Sequence, residues 1–227
     1  YAKMRNSMSK FNFEELVKYI DKFCATITSI SNSVQFDFSN KRHFFLNLMY
    51  IRILDIFESS IFLFKKKKIP VINVLIRGMI EAMSDMNFIF CNDNAFNLLS
   101  KLEICQTYKI IRCIKPNTGD ESLKESMDNV FFCMKELVDH FKETCDIKNN
   151  TVDRIREGLG DDFELIYRQM CQDVHNHLSK MDRYYVVYVD NNPETIITIK
   201  NMSQNDYVEC LDLIMKCMIK SLAIVSF

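Results

Sequence analysis

Apolar residues recur at spacings of three and four along nearly the whole chain, a period that belongs to helices rather than strands. Phe13, Leu16, Val17, Ile20, Phe23, Cys24 and Ile27 share one face of a first helix over residues 11–33. Ser39 or Asn40 is placed to cap a second, long helix running to about Lys66, whose terminal lysines Lys65–Lys68 suit the negative end of the helix dipole. Pro70 fits the first turn of a third helix reaching Cys91, because proline lacks only an N–H that is unpaired there anyway. A fourth helix covers residues 95–114 and is stopped by Pro116, Asn117 and Gly119. A fifth covers residues 120–146, with Met127, Val130, Phe131, Met134, Leu137, Val138 and Phe141 on its buried side.

The stretch from Asp146 to Gly160 is polar and turn-rich, with room for one short helix, and leads into a helix over residues 161–181. Tyr184–Val189 and Thr195–Lys200 are β-branched and aromatic runs around Asp190, Asn191, Asn192, Pro193 and Glu194, the pattern of a small hairpin. Ser203, with Asp206 three residues later, opens a final helix to Val225. The expected architecture is all-α: one domain over residues 1–227, with a core bundle over 11–181, a β-hairpin over 184–200 and a C-terminal helix over 203–225, seven to eight helices in all.

Composition supports that reading. Hydrophobic residues make up 48% of the chain and include 18 Phe, enough for a continuous core, whereas 4 Gly and 3 Pro give too little turn punctuation for a sandwich, a barrel or a Gly-rich nucleotide-binding fold. A net charge of -1 argues against wholesale phosphate binding. The 9 Cys form no CxxC pair and most fall within apolar helical periods, the usage of reduced, buried thiols in a reducing compartment. The opening residues lack the apolar core of a signal peptide, and Arg77, Glu81 and Asp85 interrupt the most hydrophobic stretch, residues 69–90. A cytoplasmic protein without a membrane segment is expected, and no metal or cofactor.

Charged residues inside apolar helices carry the candidate chemistry. In the third helix Arg77, Glu81 and Asp85 follow one another at intervals of four, and in the second Arg52, Asp55 and Glu58 or Ser59 do nearly the same. Buried charges must pair, reach solvent or line a polar cavity, so two such stripes imply a shared polar network. The late helix concentrates Arg168, Cys171, Asp173, His175 and His177. Arg168 and His175 are seven residues apart and therefore lie on nearly the same face. An arginine can hold a phosphate and a histidine can move a proton, so the pair suffices chemically for metal-independent RNA cleavage. The same spacing serves a salt bridge and a satisfied core hydrogen bond, and both roles stay open. Cys171 with His175 falls short of a zinc site because no second ligand pair appears, and nothing marks an oxyanion site for a Cys-His nucleophile.

The run Ile76-Arg77-Gly78-Met79-Ile80-Glu81, the run Tyr167-Arg168-Gln169-Met170-Cys171 leading to Val174-His175-Asn176, and the acidic Asp55 resemble the bacterial family called domain of unknown function 5677. More distantly, Arg168, six intervening residues and His175 resemble the HEPN helical bundles. That resemblance implies Arg168 holding a scissile phosphate and His175 transferring a proton, in a site shared across a homodimer. It implies RNA as substrate, with a protein of the same defence or toxin-like operon as a further partner. The alternative is a non-enzymatic interaction or ligand-sensing module, in which Asp55, Arg77, Glu81, Tyr167 and Asn176 line a polar pocket with His175.

Overall fold

A computed structural model describes residues 11–37, 39–113, 121–144, 151–174, 185–188, 196–199 and 202–225. Among them are eight helices: α1 (Phe13–Ser31), α2 (Lys41–Lys65), α3 (Ile69–Cys91), α4 (Ala95–Cys113), α5 (Glu121–Thr144), α6 (Thr151–Leu159), α7 (Asp161–Val174) and α8 (Gln204–Val225). Two four-residue strands, β1 (Tyr185–Tyr188) and β2 (Ile196–Ile199), pair antiparallel with Tyr185 opposite Ile199. The residues that join them lie outside the described set, so the expected 184–200 hairpin is represented only by this pair.

Local signals set most boundaries. Asn12 accepts from the Glu15 N–H while the Glu15 carboxylate accepts from the Asn12 N–H, a capping box that opens α1. Asn40 caps α2 through the Arg42 N–H. The lysine run closes α2: Lys67 takes φ +59, its N–H donates to the Phe64 carbonyl and the Lys68 N–H to the Leu63 carbonyl, a Schellman-type end. Lys65 pairs with Asp21 of α1 and the Lys67 ammonium sits 4.5 Å from the Phe13 ring centroid, so the run fastens α2 to α1. Pro70 lies in the first turn of α3.

Helix α3 is the axis of the bundle. It packs against α2, α6, α7 and α8, and touches α4 more lightly. Ile72, Ile76, Met79, Ile80, Met83 and Met86 are fully buried on it, each contributing roughly 1.5–3 kcal/mol of transfer free energy. Helix α8 completes the core with Leu211, Ile214, Met215 and Met218, and packs on α3, α2 and α1. Helices α4 and α5 pack mainly on each other, with Tyr108 stacked on Phe131 at 5.1 Å. No helix among the described residues is long and apolar enough to cross a membrane.

The stretch read from sequence as turn-rich contains a helix, α6, because Ile155 and Leu159 are four apart and both bury against the bundle. Gly160 alone joins it to α7. Its N–H donates to the Ile155 and Arg156 carbonyls and its φ is +97, a conformation that a side chain strains. Both helices then turn their inner faces to α3. Gly160→Ala is expected to lower stability by about 1–2 kcal/mol, measurable as a fall in the urea midpoint at unchanged m-value. There is space for the methyl group itself, so the loss reports backbone strain alone.

Candidate functional site

The polar stripe of α3 ends in different partners at each turn. At its first step the Arg77 Nε donates to Glu81 Oε1 at 3.1 Å, and the Tyr167 hydroxyl of α7 donates to the same oxygen at 2.8 Å. The Arg77 guanidinium also lies 5.6 Å from the Tyr167 ring centroid. Tyr167 is buried, and burial together with the Glu81 carboxylate pushes its hydroxyl well above the ordinary tyrosine range, keeping it a donor. Arg77, Glu81 and Tyr167 therefore converge, as their spacing on two helices suggested.

One turn further, Asp85 meets Arg154 of α6, with Asp85 Oδ1 2.9 Å from Nη2 and 3.1 Å from Nε. The Arg154 side chain is only 8% exposed. Burial raises the Asp85 carboxyl above the ordinary carboxylate range and Arg154 only partly offsets it. The pair borders a cavity of about 540 Å³ between α2, α3, α4 and α6. Arg52 of α2 and Glu103 of α4 also line it, and so do Phe45 and Phe96, whose rings meet at 4.3 Å. Its volume falls within the range of small-molecule sites, although it is half open and more polar than most of them.

Other expected members do not join the set. Asp55 is exposed on α2, on a different face from the buried Ile53 and Phe57, and no described contact brings it to Glu81. Arg52 lines the cavity and Asp55 does not. His175, Asn176 and His177 lie outside the described residues, and with them the Arg168–His175 pairing and the continuation of α7 to residue 181. Arg168 itself is exposed and gives its guanidinium to Glu164, one turn back, at 2.8 Å.

Glu164 accepts from two arginines, Arg156 of α6 and Arg168 of α7. The hydrogen bond from Arg156, then that from Arg168, holds its carboxyl down to about 2. Neither Arg156 nor Glu164 stands out in the sequence, being eight residues apart across the Gly160 turn. Arg154 was missed for a related reason: it lies in the segment read as turn, although Val152, Ile155 and Leu159 at spacings of three and four marked a helix there. Among the described cysteines, Cys210 and Cys217 are buried, each thiol pushed up to about 12, whereas Cys91 and Cys133 are exposed, so the expectation of buried thiols holds for part of the set.

The Glu164 clasp has a pH signature. Its folded value lies below that of a free carboxylate, so its contribution is present above the ordinary range and is lost as pH falls toward 2. Glu164→Gln removes that dependence. Urea unfolding at pH 7 and pH 3 should show wild type losing more stability on acidification than the variant, and parallel losses would show that the clasp contributes nothing.

No curated protein and no solved structure matches the chain. Residues 43–195 match the family of unknown function DUF5677, a span that runs from α2 through both arms of the polar stripe and its partners on α6 and α7. The chain belongs to that family.

Proposed function

We propose that this chain is a HEPN-like helical protein that works as a ligand-binding module, taking a small molecule into the cavity beside Asp85 and Arg154. The observation that carries the reading is a buried ion pair at the edge of open space. Arg154 is nearly shut off from water and Asp85 is half-buried, and burial still outweighs attraction at Asp85. A ligand with polar groups can complete their solvation. The cavity volume of about 540 Å³ suits a metabolite-sized guest.

A thermal-shift screen of nucleotides, amino acids and small anions tests this. A guest at 100 times its Kd stabilises by roughly 2.7 kcal/mol through mass action. Leu99 lines the cavity and is half-buried, so Leu99→Trp fills the space without removing a charge. The shift should appear in wild type and vanish in this variant. Compounds that stabilise both proteins equally bind elsewhere and would remove the reading.

A second reading is metal-independent RNA cleavage by Arg168 with His175, in a bacterial defence or toxin-like setting and across a cytoplasmic homodimer. The exposure of Arg168 favours it, since a guanidinium facing solvent can exchange Glu164 for a phosphate. In this mechanism His175 takes the proton of a ribose 2'-hydroxyl, whose oxygen attacks the adjacent phosphorus. Arg168 stabilises the charged phosphorane, the P–O5' bond breaks, and the departing 5'-oxygen takes a proton from the histidinium or water, leaving a 2',3'-cyclic phosphate and a 5'-hydroxyl. RNA incubated with the protein in EDTA should be cut, and His175→Ala or Arg168→Ala should abolish cutting. Intact RNA, or cleavage indifferent to both substitutions, ends this reading.

A further inference from the structure

The cavity is not neutral by being empty of charge; it is neutral by balance. Arg154 is matched by Asp85 at 2.9 Å, and the Arg52 charge on the α2 wall also acts on Asp85, while neither Arg52 nor Glu103 of the α4 wall is in a salt bridge among the described residues. Phe45 and Phe96 form an apolar patch on the same two walls. Arg52 follows Phe45 by seven residues and Glu103 follows Phe96 by seven, so each charge stands two turns, a rise of about 10 Å, beyond its aromatic. Long helical side chains lean toward the helix N-terminus, which brings the guanidinium and the carboxylate back toward the rings.

We infer that the cavity binds a zwitterion carrying an apolar ring, an aromatic α-amino acid or an amine-acid of like size. This inference rests on the ligand-binding reading above and names the guest. The carboxylate of the guest is taken by Arg52 in a two-pronged hydrogen bond, which a planar guanidinium is built to give. Its ammonium is taken by Glu103, and its ring packs against Phe45 and Phe96. A guest with one charge only leaves either Arg52 or Glu103 without the second charged partner that a zwitterion supplies. That asymmetry supplies the selectivity, because a half-ligand forms one charge-assisted hydrogen-bonded contact where a zwitterion forms two.

Isothermal titration of the full chain with L-phenylalanine, L-tyrosine and L-tryptophan, and with the half-ligands 3-phenylpropionate and phenethylamine, tests the inference. At least one of the three amino acids should bind at least tenfold more tightly than either half-ligand. Arg52 and Glu103 are exposed, so Arg52→Ala and Glu103→Gln should fold normally, which circular dichroism checks. Arg52→Ala should abolish the advantage over phenethylamine, and Arg52→Lys should restore part of it. Glu103→Gln should abolish the advantage over 3-phenylpropionate. Half-ligands binding as tightly as the zwitterions, or zwitterion binding untouched by both substitutions, would overturn the inference. If none of the amino acids binds while another compound from the screen loses its shift in Leu99→Trp, the guest is wrong and the cavity reading stands. If no compound shifts wild type at all, both fall.

Discussion

A helix packed against four others leaves little water for charges between them, and α3 carries Arg77, Glu81 and Asp85, all half-buried, on one line. An isolated ion inside a bundle costs several kcal/mol, more than any single apolar contact on α3 contributes. The chain meets this constraint by supplying partners from later in the sequence: Tyr167 from α7 at one step and Arg154 from α6 at the next. Much of the arrangement after residue 150 follows from that need.

The two partners come from separate helices joined by one residue, which explains why the turn between them is so tightly specified. Gly160 allows a reversal without a loop, and the Glu164 carboxylate then ties Arg156 on one side of the turn to Arg168 on the other. The clasp is largely solvent-facing at its arginines, so it contributes less by Coulomb attraction than by fixing the angle at which the helices leave Gly160. With that angle set, Arg154 and Tyr167 reach neighbouring turns of α3 together. The cation that closes the stripe and the hydroxyl that closes it one turn earlier are thus positioned by the same corner.

Helix existence was legible because apolar residues recur at helical spacing in α1, α3, α5 and α8 and are dense throughout α2, and the helix-opening signals at Asn40, Pro70 and Ser203 stand where the structure starts those elements. The Arg77–Glu81 pair was legible from a spacing of four, whereas Tyr167 was singled out only by the family resemblance and the polar-pocket alternative. Other features were not. Arg154 sits in a nine-residue helix whose polar composition hides a three-residue apolar face. Nothing in the sequence singles out Phe45 or Phe96, because periodicity tells which side of a helix is apolar but not whether the facing helix fills the space. Asp55 is exposed on α2 and does not line the cavity that its neighbour Arg52 borders, a difference that spacing alone does not reveal.

The difference between the two steps of the stripe is what gives the molecule a plausible place for chemistry. At Glu81 one oxygen accepts from both Arg77 and Tyr167, and the cluster is closed among its own members. At Asp85 the arginine is well placed, yet burial dominates and the carboxyl remains harder to ionise than a free one. A pair in that condition is not needed for packing, since apolar residues of the same volume would hold α3 to α6 at least as well. Its retention beside open space, with Arg52 and Glu103 on the facing walls, is better accounted for by a guest that completes the polar contacts than by stability.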